Sequence, residues 1–198
     1  MRLAVHHSTR YRFAAPVSHG LQRLRLTPKS TQGQEILEWT MRYEGAREEL
    51  VYEDQNFNTV VLISVDEGAE QVVVSCEGLV NTEDKAGLIG HHSGHMPLWA
   101  FLGETPLTKA GPKIKQLISS VERSANGMVE TLHNLSSAIR DQVKYETGTT
   151  QVDTTAEEAV IAGSGVCQDH AHIFIAAARS LDIPARYVSG YLMMDDRI

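Results

Sequence analysis

Polar and apolar residues alternate with period two through most of the first half of the chain, and this pattern gives way to helical spacing near residue 95. Leu3, Val5, His7, Thr9 and Tyr11 share one face of a first strand. A second covers Leu21 to Leu26 and stops at Pro28. A third runs from Glu35 to Tyr43, with Ile36, Glu38, Thr40 and Arg42 opposite Leu37, Trp39, Met41 and Tyr43. Leu50–Tyr52, Thr59–Val65 and Gln71–Val80 follow, separated by turns at 54–58 and 66–68. Short strands at this spacing predict an antiparallel β-sandwich or barrel, and we take residues 1–85 as a β-sandwich domain.

Residues 86–112 are rich in glycine and proline and read as a linker, with Leu98–Leu102 as a short apolar turn docked on a core. Residues 113–198 form the second domain. Ile114, Leu117, Ile118 and Val121 make one helical stripe, with Pro112 in the first turn. Val129, Leu132, Leu135, Ile139 and Val143 make a second stripe. Thr154-Thr-Ala-Glu157 predicts a capping box that opens a short helix, Ala156 to Ala162. Gly163-Ser-Gly165 breaks it. A new helix then carries Cys167, Ala171, Phe174, Ala178 and Leu181 on one face, and Ala185 to Met193 reads as a buried strand. The fold class is therefore α+β.

Composition narrows the function. The 198 residues are 42% hydrophobic and 22% charged, which is globular. There are 25 acidic and 18 basic residues, a net charge of −7, and no basic run. Such a chain is expected to bind neither nucleic acid nor an anionic membrane. No apolar run is long enough to span a bilayer, and the first residues lack the apolar stretch of a signal peptide. Two cysteines are too few for a disulfide framework, so the cytoplasm is the default compartment.

Cys167 is the candidate nucleophile. The first turn of a helix leaves backbone N–H groups without partners and carries partial positive charge. That setting favours a thiolate, and the same N–H groups can bind the oxygen that turns negative when the thiolate attacks a carbonyl. Gly163 and Gly165 are expected to let a peptide backbone approach. The competing reading is a buried structural cysteine at the head of an apolar stripe.

The surrounding residues decide between them. Gly165-Val-Cys-Gln-Asp-His-Ala171, Ala176-Ala-Ala-Arg179 and Ile183-Pro-Ala-Arg-Tyr-Val-Ser-Gly-Tyr191 closely resemble the nucleophile segment of the bacterial transglutaminase-like family, related to papain-type cysteine proteases. His7, Thr9, Tyr11, Pro16, Leu24-Arg-Leu-Thr-Pro28, Asp54 and Asn58 resemble the β-rich region that precedes such cores, and Thr105-Pro-Leu-Thr108 fits its linker. The resemblance implies the helical half of a papain-like core and a Cys-His-Asp triad. Its cysteine would acylate itself on a peptide or carboxamide substrate, for hydrolysis or amine transfer, with no cofactor or metal. In the family the His and Asp follow the Gly-Tyr strand, so only Cys167 of the triad is expected in this chain, which reads as a piece of a longer one. An unpaired last strand predicts a homodimer through that edge. The alternative function is a non-catalytic binding module on a degenerate core.

Other candidates are weaker. His170, three residues after Cys167, could lean back to the thiol, though packing is the plainer role. His172 is expected to be structural or exposed, and Asp169 to satisfy first-turn N–H groups. Gln168 follows the cysteine, so the upstream oxyanion glutamine of papain-like enzymes is not assigned to it. Asp182 stands where the family often has a helix-closing glycine. His91, His92 and His95 read as an exposed loop, and Cys76 as a core residue of a strand.

Overall fold

The computed structural model describes residues 1–92, 94–122, 124–125 and 127–193. The chain forms two compact units, Met1–Met96 with the segment starting at Ser189, and Pro97–Val188. The division between the units falls after Met96, within the 86–112 stretch. The chain end, Asp195 to Ile198, lies outside the described residues.

The first unit holds β1 (Arg2–Val17), β2 (Leu21–Leu24), β3 (Gln34–Glu44), β4 (Ala46–Glu53), β5 (Thr59–Val65) and β6 (Ala69–Thr82). They pair as two antiparallel sheets, β1-β6-β3 and β2-β5-β4. Both central strands, β5 and β6, are the β-branched runs, because a central strand is covered on more of its surface. Leu24, Val61, Ile63 and Val65 of the second sheet meet Val72 and Val74 of the first in one core. Gly45 turns the chain from one sheet to the other at φ +71°, and a side chain there would collide with the Gln71 carbonyl. The expected faces of β3 are partly corrected. The register slips between Ile36 and Glu38, so Ile36 shares the inward side with Trp39, Met41 and Tyr43, and Leu37 is exposed.

The turn after β4 is built on Asp54. Its carboxylate accepts from Arg25 Nε at 2.8 Å, the amides of Asn56 and Asn58 at 2.9 and 3.0 Å, and Asn58 Nδ2 at 3.0 Å. Burial pushes this carboxyl up, but the bonds from Arg25, Asn58 and Asn56 outweigh it and hold it well below the usual carboxylate range.

The segment from Ala185 to Met193 has no strand pairing, which corrects the expected buried strand. Within it, Tyr191 donates its hydroxyl to the Leu26 carbonyl at 2.8 Å and lies beside Cys76. Its ring packs against His7 and Trp39, with centroids 5.4 and 5.3 Å away. Gly78, paired with Trp39, has no side chain because the indole lies across it.

The second unit is mainly helical. Short 3-10 turns at Leu98–Leu102 and Pro106–Thr108 lead to α1 (Pro112–Ser120) and α2 (Met128–Gln142). Then come β7 (Lys144–Tyr145), α3 (Ala156–Ala162), β8 (Ser164–Gly165) and α4 (Cys167–Ser180). The 98–102 turn is docked through part of its apolar surface: Leu98 and Trp99 are exposed, while Ala100, Phe101 and Leu102 are half-buried. Ile114, Leu117, Leu135, Ile139, Val143, Val160 and Ile173 fill the core. Completely burying a side chain such as Ile173 is worth roughly 1.5–3 kcal/mol. Ala176 and Ala177, both buried, let neighbouring elements approach α4 closely. β7 and β8 pair in parallel, with Lys144 N and Glu146 N donating to the carbonyls of Gly163 and Gly165.

The capping box of α3 lies one residue later than the sequence pattern suggested. Thr155 is the N-cap and Glu158 its partner. Glu157 instead turns to α1, where it accepts from the Lys113 and Ile114 amides at 2.7 and 3.1 Å, in space that the side-chain-free Gly111 leaves open.

Candidate active site at the start of α4

Three local devices place Cys167. The capping box starts α3, and Gly163 ends it in the left-handed region, φ 69° and ψ 15°, with its N–H on the Ala159 carbonyl. The two-residue pairing of β8 with β7 then redirects the chain. Val166 serves as N-cap in extended geometry, φ −102° and ψ −178°, and α4 begins at Cys167. Cys167 is exposed, while Cys76 is buried, and both are free thiols.

Val166 has no side-chain acceptor, so it gives α4 no cap bond. The first intrahelical bond runs from His170 N to the Val166 carbonyl. Among the described residues, no acceptor meets the amides of Cys167, Gln168 and Asp169. A thiol and free N–H groups therefore share the positive end of a 14-residue helix.

The neighbours behave differently from one another. Asp169 is 1% exposed, and its Oδ2 accepts from Val166 N and from Thr150 Oγ1, both at 2.7 Å. Gly165 is glycine for this side chain: a Cβ there would lie 2.7 Å from Asp169 Cβ. Gly163 is a helix stop. Both glycines thus have internal causes.

His170 is held away from the thiol. Its Nδ1 and Nε2 lie 2.9 Å from the carbonyls of Val166 and Val143. Both ring nitrogens are thus directed at backbone carbonyls rather than at Cys167. His172 is buried, its ring edge on Tyr187 at 5.8 Å, and its Nδ1 has no partner. Burial pushes its protonation down, against the pull of the Asp169 charge. Gln168 donates to the Val152 carbonyl at 3.3 Å. None of the described histidines is bonded to the Cys167 sulfur.

The far end of α4 is tied by Arg179. Its guanidinium donates to the carbonyls of Phe101 and Ala185 and to Thr108 Oγ1, at 2.8–3.1 Å. Thr150 and Arg179 escaped the sequence reading as structural partners, since each reaches its contacts across irregular chain. In the histidine loop, His92 Nε2 donates to the Met96 carbonyl and His95 packs edge-on to Phe57. Among the described residues no helix is long and apolar enough to cross a membrane.

Comparison with known proteins agrees with this architecture. A crystal structure of "a Putative Cysteine Protease from Cytophaga hutchinsonii" superposes with a TM-score of 0.71 at 19% identity, over 93% of this chain and 65% of that one. An uncharacterized protein of Mycobacterium leprae is 25% identical over 96% of the chain and 71% of its own length. One of Mycobacterium bovis is 43% identical over 68 residues, 34% of the chain and 22% of that relative. The chain thus spans about two thirds of the solved neighbour. Residues 3–81 match the bacterial transglutaminase-like N-terminal region and residues 115–197 the transglutaminase-like superfamily, so a region of each kind lies in this chain, in that order.

Proposed function

We propose that the protein performs thiol-dependent acyl transfer on peptide or carboxamide substrates, with Cys167 as nucleophile. The observation that carries this reading is an exposed thiol on the first residue of α4, beside amides that have no acceptor. The Cys167 sulfur attacks the carbonyl carbon, and the carbonyl oxygen becomes an oxyanion that accepts from first-turn amides. The C–N bond then breaks, the leaving nitrogen takes a proton from an imidazolium, and a thioester remains on Cys167. Water or an amine attacks the thioester and releases the thiol. Hydrolysis is the preferred outcome.

His170 is not the acid–base group in this scheme, because both ring nitrogens face backbone carbonyls. We assign that role to the histidine and aspartate that the resemblance places after the Gly-Tyr segment. The two free cysteines suit a reducing compartment, and we place the protein in the cytoplasm.

An activated ester tests the nucleophile without needing that acid. With p-nitrophenyl acetate the S–C bond forms, the ester C–O bond breaks, and p-nitrophenolate leaves unprotonated. Peptide mass spectrometry is expected to find an acetyl thioester on Cys167, formed faster than on the same cysteine in the urea-unfolded chain and absent in Cys167→Ser. Equal rates in the folded and unfolded chains would favour the non-catalytic binding module instead.

A further inference from the structure

We propose that Asp169 and Thr150 are positioning residues for the turn that carries Cys167, an inference that rests on reading Cys167 as the nucleophile. The neighbouring helix provides the contrast. α3 closes its start with an exposed, reciprocal Thr155–Glu158 box: the Glu158 carboxylate accepts from the N-cap amide of Thr155, and Thr155 Oγ1 accepts from Glu158 N. α4 keeps only half of that box: Asp169, at the same third position, makes the reach back, but Val166 has no hydroxyl to take up a first-turn N–H in return. The Asp169 carboxylate accepts from the amide of Val166, one residue before the helix. The result is a start that is fixed in place yet leaves the amides of Cys167 and Gln168 open.

The fixing is tight because one oxygen does it. Oδ2 receives both the Val166 amide and the Thr150 hydroxyl at 2.7 Å, on a side chain that is 1% exposed. Among the described residues no Lys or Arg pairs with this carboxylate; its charge faces two donors, the positive end of α4 and, along the same helix, His172. A surface cap would serve folding alone without placing a carboxylate out of water. Gly165 admits it at a distance no Cβ would tolerate. Thr150 comes from the segment between β7 and α3, so the angle of the Val166 peptide, and with it the direction of the next N–H groups, is set from outside the helix. Thr150 and Asp169 would touch no substrate. They act through the backbone that does.

Two reactions of the same sulfur separate this role from general stability. Acetylation by p-nitrophenyl acetate passes through an oxyanion, whereas alkylation by iodoacetamide displaces iodide and forms none. Their rate ratio at Cys167 therefore reads the amides and cancels access to the thiol. Thr150→Val is expected to lower the acetylation-to-alkylation ratio by about tenfold, a fraction of what losing a whole oxyanion donor costs, and Thr150→Ser to restore most of it. Asp169→Ala is expected to lower the ratio further where it folds, as judged by circular dichroism; the threonine pair decides the matter where it does not. An unchanged ratio in folded Thr150→Val overturns the positioning role while leaving Cys167 as nucleophile. No thioester on Cys167 in the unmodified protein removes both.

Discussion

Asp54 and His172 are both buried, and both make the protein less stable in acid, over different ranges. Hydrogen bonds hold the Asp54 carboxyl below its ordinary 3.8, so the stability it contributes is full above about 3.8 and is lost as pH falls through its folded value. Burial holds the His172 ring below its ordinary 6.5. The unfolded chain then binds a proton there that the folded chain refuses, so stability is full above about 6.5 and declines as pH falls towards the folded value. We expect the urea midpoint to fall between pH 7 and pH 5, and His172→Gln to flatten that part of the curve while leaving the Asp54 range below pH 4 in place. A midpoint that falls equally in the variant would show that His172 is not the group responsible. At this scale Cys167 was legible because helical phase alone puts it first in α4. Its support was not: Thr150 lies 19 residues before Asp169, in a stretch with no period, and only the folded chain brings the two together.

Among the elements, α4 owes its end as much as its start to local chemistry. Asp182 takes φ 60°, the left-handed position that its place after the helix implied. Asp182 N donates to the Arg179 carbonyl and Ile183 N to the Ala178 carbonyl, the two bonds of a Schellman closure. A side chain in that region costs about 1 kcal/mol or more that glycine does not incur. Asp182→Gly is therefore expected to stabilise the protein by about 1 kcal/mol in urea unfolding; a loss of stability would mean that the Asp182 side chain makes a contact of its own. Periodicity located α1, α3, α4 and most strands, because each buries a regular face. It failed where a single residue resets the phase. The slip at Leu37 turned Ile36 inward, and the choice between Glu157 and Glu158 as capping acid depended on which of two helices each could reach.

For the molecule as a whole, the sequence indicated a β-rich first half and a helical second half, but not where the chain goes after α4. The apolar run at 185–193 resembles a strand because strands and docked coil share composition. In the fold, Ser189 to Met193 belongs to the first unit, and Tyr191 bonds the Leu26 carbonyl there, lies beside Cys76 and packs on His7 and Trp39. That contact joins residues 165 positions apart, which no local pattern can reveal. It also gives His7 and Cys76, strand features without an evident role in the sequence, a shared one as partners of the same tyrosine.

The account turns on the first-turn amides of α4 receiving the oxygen of an attacked carbonyl. A crystal structure of the protein treated with a peptide aldehyde tests this most directly. We predict a hemithioacetal on Cys167 whose oxygen lies about 3 Å from the amide nitrogen of Cys167 or Gln168. An adduct whose oxygen points away from both amides, or one formed on another residue while Cys167 stays free, would contradict it.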